Sequence, residues 1–177
     1  MLQTRRGKRT GIAAIKIATD MVKEKLITKE VAVSRVRPHQ IYESLLKNID
    51  PKDVENSLPI SLGLPAGPGA SCGIAVFTAE KAEELGKKNK KVILVREETS
   101  PEDIHGMHYS EGILTSRGGL TSHAALVARG WGKSCVVGCQ DLTIDKSHTF
   151  AKIGDKKIKE GDHITLNGSS GDIYLGK

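Results

Sequence analysis

The hydrophobic positions of this chain change period along its length, helical at first and then mostly extended. Between residues 11 and 26, Ile12, Ile15, Ala18, Met21 and Val22 fall at helical spacing, with Lys16, Lys23 and Glu24 between them and Thr10 where an N-cap belongs. Thr28 opens a second helix to about Val36, and Pro38 a third carrying Ile41, Leu45 and Leu46. Residues 48–59, rich in Asp, Lys, Asn and Pro, read as a linker. Beyond it the elements shorten. Residues 69–77 predict a half-buried strand with Ala70, Cys72, Ile74 and Val76 inward. Thr78 caps a helix to about Lys88, and residues 91–95 are a continuous aliphatic run, hence a central strand. Ser100, Pro101, Glu102 and Asp103 start another helix, and Ile113 and Leu114 end a buried strand. Residues 134–138 predict one more buried strand. In the β-rich remainder Ile158, Ile164, Leu166, Ile173 and Leu175 alternate inward between glycine turns.

This interleaving predicts an α/β fold over residues 59–177 with many antiparallel strands, preceded by a small helical arm and linker over residues 1–58. Composition narrows it. Hydrophobic residues make up 38% of the chain but aromatics only 3%, so the core must be aliphatic. No apolar run is long enough for a membrane span and no signal peptide is visible. Cys72, Cys135 and Cys139 lack metal-site spacing and read as reduced intracellular thiols, which points to a cytoplasmic protein. The net charge of +6 is spread over the N-terminus, residues 87–91 and residues 156–159, without interleaved aromatics. Neither nucleic acid nor membrane is therefore an expected partner. His105 and His108 are three apart on a predicted helix, but no third metal ligand accompanies them, and no metal site is expected on this chain.

Residues 112–130 hold the chemistry. Gly118 and Gly119 release the chain from a strand into a tight turn, Thr121 and Ser122 are N-cap residues, and residues 123–129 form a short helix closed by Gly130. His123 then lies in the first helical turn, where free N–H groups and the positive dipole end favour a bound anion. A neutral imidazole there has a nucleophilic nitrogen beside a cradle for phosphate oxygens.

The run Gly118-Gly-Leu-Thr-Ser-His-Ala-Ala-Leu-Val-Ala-Arg129 resembles the phosphohistidine signature of the enzymes that use or make phosphoenolpyruvate. Residues 63–70, 92–107 and 132–139 extend the resemblance, and within the group it leans towards the dikinase family, pyruvate phosphate dikinases. Synthases of the group usually carry Cys where this chain has Ser122. The resemblance implies a swivelling β/β/α phosphohistidine domain with His123 as catalytic nucleophile. Gly118, Gly119, Thr121 and Ser122 would support the phosphate pocket, with Arg117 and Arg129 as candidate charge partners whose reach the spacing does not decide.

It also implies that the first ten residues, which do not start like a natural N-terminus, continue a nucleotide-binding domain, with Gln3 and Arg5 a remnant of its ATP site. The expected activity converts ATP, phosphate and pyruvate to AMP, diphosphate and phosphoenolpyruvate, through a covalent phosphohistidine. Mg²⁺ would be bound by nucleotide- and pyruvate-binding domains outside this chain, and the whole enzyme would be a homodimer. This piece alone would be a shuttle and not a complete catalyst. In plant members the threonine at the position of Thr121 is reversibly phosphorylated, making Thr121 a regulatory candidate. The rivals are a synthase-type carrier, with water as acceptor, and a non-catalytic interaction domain in which the turn is only structural.

Overall fold

The computed structural model describes residues 9–177, apart from the side chains at 51, 55 and 56. Gln3 and Arg5 lie outside the described residues. The chain divides into two compact units, Met1–Leu46 and Lys47–Lys177.

In the first unit, α1 (Gly11–Lys23), α2 (Lys29–Arg35) and α3 (Pro38–Leu45) form where the hydrophobic period and caps place them. Thr10 and Thr28 accept the N–H groups of Ala13 and Val31. The inward face of α1 differs from the expected stripe: Gly11, Ala14 and Ala18 are buried, while Ile12 is 58% exposed. The reason is close approach, since a Cβ at Gly11 would stand 2.1 Å from the carbonyl oxygen of Gln40 on α3. Backbones that near select the small-residue face. On α3, Ile41 and Leu45 are exposed as well.

The second unit begins with a helix where a linker was expected. Asp50 caps α4 (Pro51–Asn56) by accepting the N–H of Lys52, and Pro51 occupies the first helical position. Lys47 is already tied to this unit, because its carbonyl accepts the Ala70 N–H at 2.6 Å and its ammonium meets Glu111 at 3.2 Å.

Then follow β1 (Ser61–Leu62), β2 (Leu64–Gly67), β3 (Ala70–Val76), α5 (Ala79–Lys87), β4 (Val92–Arg96), a 3₁₀ turn (Pro101–Asp103), α6 (Ile104–Tyr109) and β5 (Gly112–Thr115). The unit closes with α7 (His123–Gly130), β6 (Ser134–Val137), β7 (Leu142–Ile144), β8 (Phe150–Ile153), β9 (Lys156–Lys159), β10 (His163–Asn167) and β11 (Asp172–Leu175). One sheet has the order β1-β11-β10-β3-β4-β5-β6-β2, and β7-β8-β9 form a separate antiparallel sheet.

Many strands are antiparallel, as expected, but the centre of the large sheet is not. β3, β4, β5 and β6 are parallel, because α5, α6 and α7 return the chain over one face between them. Antiparallel pairing is confined to the flanks and the small sheet.

Two cores sandwich the large sheet. On one face Ala75, Ile93, Val95, Leu114 and Val136 pack with Ile144, Ile153 and Ile158 of the small sheet. On the other Val76, Leu94, Ile113 and Val137 pack with Ala82, Met107, Ala124 and Ala128 of the helices. The layers are therefore β/β/α, and strands covered on both sides explain the unbroken aliphatic run of β4. They also explain β3, where Ser71, Gly73 and Ala75 are more buried than the expected Cys72 and Ile74. At the end of β11, Tyr174 is buried and Leu175 half exposed, the reverse of the simple alternation.

The three cysteines are free. Burial pushes the Cys135 thiol up to about 12 and raises that of Cys139. No helix among the described residues is long and apolar enough to cross a membrane.

Candidate functional site

The carboxyl ends of the parallel strands create the place where a ligand can sit in such a sheet. Past the end of β4 and β5 their ladder continues, the N–H of Ser116 donating to the Arg96 carbonyl at 3.2 Å and that of Arg117 to the Glu97 carbonyl at 2.8 Å. Thr115 donates its hydroxyl to the Arg117 carbonyl at 2.7 Å, turning the chain. Gly118 then takes φ +98°, and a Cβ there would lie 2.9 Å from that of Ser122. Gly119 is different, since its φ is ordinary and a Cβ would meet nothing within 4 Å. The turn needs glycine at 118, whereas 119 borders open space.

Ser122 is the N-cap of α7, accepting the Ala125 N–H at 3.4 Å. Thr121 stands one residue earlier and is exposed. The N–H groups of His123 and Ala124 are left without an acceptor among the described residues. His123 is half-buried at this terminus. Its Nδ1 lies 3.1 Å from Oγ1 of Thr99, a residue only 5% exposed.

Thr99 belongs to the loop after β4, and that loop is braced. Asp103 accepts the N–H of Ser100 at 2.9 Å and its hydroxyl at 3.3 Å, and pairs with Arg96 at 3.3 Å. Arg96 also donates to the Phe77 carbonyl at 3.2 Å. Sequence reasoning missed Thr99, Asp103 and Arg96. The available signals were the family resemblance over residues 92–107 and the capping pattern from Ser100 to Asp103, and neither says what faces the loop.

Arg129 turns back along α7 and donates to the carbonyls of Leu120 at 2.6 Å and Ala66 at 3.4 Å. It thereby staples the turn before α7 to β2. Arg117 is exposed, and its backbone groups close the turn. Gly138, with φ +64°, completes the wall, since a Cβ there would stand 2.9 Å from the Gly118 carbonyl oxygen. His105 lies 3.8 Å from Glu83, while His108 packs edge-on against Tyr109 and Trp131. Among the described residues no group of three or more His, Cys, Asp or Glu side chains could hold a metal ion.

Residues 88–171 match the family described as PEP-utilising enzyme, mobile domain. Over all of its length the chain is 52% identical to pyruvate, phosphate dikinase 1, chloroplastic, of Arabidopsis thaliana, covering 18% of that protein. It is 50% identical to pyruvate, phosphate dikinase 2 of Zea mays and 55% identical to pyruvate, phosphate dikinase of Rickettsia felis, covering 20% of each. A solution structure of an enzyme I protein is similar at 25% identity, over 48% of this chain and 30% of its own, with a TM-score of 0.34. The chain thus spans about a fifth of the length of its dikinase relatives. The chain is thus similar to the mobile-domain family of the PEP-utilising enzymes over residues 88–171 and, over its whole length, to one segment of the pyruvate, phosphate dikinases.

Proposed function

We propose that this chain is the phosphoryl carrier of a pyruvate, phosphate dikinase and that His123 is its nucleophile. The observation that carries the reading is the Thr99–His123 contact at the open start of α7. With its proton on Nδ1, the ring donates to Thr99 Oγ1 and leaves the Nε2 lone pair free; this tautomer is assigned from the chemistry. Nε2 attacks the β-phosphorus of ATP, AMP leaves, and a pyrophosphoryl group stays on the ring. Inorganic phosphate takes the outer phosphoryl group as diphosphate. The enolate oxygen of pyruvate takes the remaining one, the N–P bond breaks, and the pair of electrons returns to Nε2. Throughout, the Nδ1–H donation to Thr99 holds the ring and its positive charge in place.

The N–H groups of His123 and Ala124 and the space beside Gly119 suit the phosphoryl oxygens, and Ser122 holds the helix start that presents them. Neither Gln3 nor Arg5 contributes to this argument. The nucleotide and pyruvate sites, and the Mg²⁺ that offsets phosphate charge there, belong to the remainder of the longer polypeptide in this reading.

The test is to expose the full-length polypeptide to phosphoenolpyruvate labelled in its phosphate and digest it. Acid-labile label on the peptide containing His123, absent after His123→Asn with an unchanged melting temperature, is the expected result. Label that survives His123→Asn would overturn the assignment. Omitting inorganic phosphate separates dikinase from synthase, since only a synthase would still make phosphoenolpyruvate from ATP and pyruvate.

A further inference from the structure

The outer face of the small sheet carries an unbalanced charge. In the β8–β9 register Lys152 stands directly opposite Lys157, and Phe150 opposite Lys159. Side chains alternate along a strand, so these four share the face turned away from Ala151, Ile153 and Ile158, which are buried in the core. All three lysines are exposed, and the Lys157 ammonium sits 3.7 Å over the Phe150 ring. Like charges directly opposed across a ladder destabilise it, so the sheet alone gains nothing from the arrangement.

On α5, by contrast, the lysines are balanced. Lys81 and Lys88 pair with Glu84, and Lys87 with Glu83. Among the described residues none of Lys152, Lys157 and Lys159 makes an ion pair. Of the nearby carboxylates, Asp145 accepts the N–H and hydroxyl of Ser147 and feels the Lys157 charge only as a minor contribution, and Asp162 accepts the backbone N–H of Lys159.

The connections into and out of the small sheet are tied to the carboxyl ends of the parallel strands. The Cys139 N–H donates to the Thr115 carbonyl at 3.0 Å, the Leu142 N–H to the Cys139 carbonyl at 3.1 Å, and the Gly161 N–H to the Ala75 carbonyl at 3.0 Å.

We propose that this lysine face docks the carrier onto a carboxylate-rich protein surface elsewhere in the longer polypeptide, at one of the two sites His123 serves. The occupant rests on charge complementarity and on relatives about five times the length of this chain. A nucleic acid would want open aromatic rings for stacking, and the one ring here is covered by Lys157. The proposal rests on the carrier reading for which sites are visited, but its chemistry can be tested without turnover.

Zero-length carbodiimide cross-linking of the full-length polypeptide, followed by peptide mass spectrometry, should join Lys152, Lys157 or Lys159 to Asp or Glu outside residues 1–177. The absence of such cross-links, or cross-links confined to this chain, would overturn the face. Kinetics supply the second arm, with Lys152, Lys157 and Lys159 changed together to Glu or, more mildly, to Gln. At low salt the Glu variant should slow labelling of His123 from one side, ATP or phosphoenolpyruvate, by about tenfold or more, and lose the salt dependence of that rate. The Gln variant should fall between, with the other side unaffected. Rates and salt dependence unchanged from both sides would also overturn it, whereas failure of the unmodified polypeptide to label His123 at all overturns only the carrier reading.

Discussion

Thr99 Oγ1 lies 3.1 Å from Nδ1 of His123, although 24 residues separate them. The contact exists because β4 and β5 are parallel neighbours, with Arg96 level with Thr115, so the loops leaving both strands emerge side by side. Thr99→Val keeps the shape and removes the acceptor. Phosphorylation of His123 should fall about 10–100-fold, the range seen for partners that orient metal-ligating histidines, while the melting temperature holds. Thr99→Ser should recover most of the rate. Equal rates in Val and Ser variants would show that the hydroxyl does not orient the ring.

Gly118 and Gly119 should part company on substitution. Gly118→Ala forces a side chain into φ +98° and against Ser122, at a cost of about 1–3 kcal/mol read by denaturant unfolding. Gly119→Ala should leave stability unchanged but slow phosphoryl transfer, because its methyl enters the space left for oxygens. A stable, fully active Gly119→Ala variant would remove Gly119 from the phosphate pocket.

Thr121 is exposed and directly precedes the cap, so a charge there faces the helix start without disturbing the core. A phosphate would bring about −1.5 to −2 charges to the donors that His123 would use for a phosphoryl group in the carrier reading. Thr121→Glu should fold normally and block labelling of His123, and Thr121→Ser should retain it. Normal labelling kinetics in the Glu variant would sink the electrostatic argument for regulation at this position.

Burial raises the Cys135 thiol from its ordinary value of 9.0 to about 12. Above pH 9 the unfolded chain loses this proton and the folded one keeps it. The contribution is therefore present below pH 9 and fades as pH rises towards 12. Unfolding free energies measured between neutral and alkaline pH should fall more steeply for the parent chain than for Cys135→Ala. Parallel pH slopes would contradict the shift.

The turn and helix around His123 were legible in sequence because every signal there is local: a glycine at the strand exit, a hydroxyl cap and a small-residue helix. Thr99 was not, since only strand pairing brings its loop alongside. Residues 51–56 looked like linker because Pro, Asp and Lys suit both loops and first helical turns, and only the Asp50 cap tips the balance. The face of α1 was misjudged for another nonlocal reason, the backbone of Gln40 against Gly11. Strand direction at the sheet centre depended on where the return helices packed, which hydrophobic period does not encode. Arg129 could be recognised as a cation near the site, but its bonds to Leu120 and Ala66 make it a brace.

The wall of the turn before α7 is drawn from the ends of three parallel strands: Thr99 after β4, Gly118 after β5 and Gly138 after β6. Pairings of that kind join distant stretches of chain and are slow to form during folding. The contact of Thr99 with His123 depends on such non-local pairing, whereas the caps of the helices are local. If His123 carries a phosphoryl group, competence to take it up would depend on these strands being seated. In the carrier reading, labelling of the histidine would therefore double as a readout of native sheet assembly.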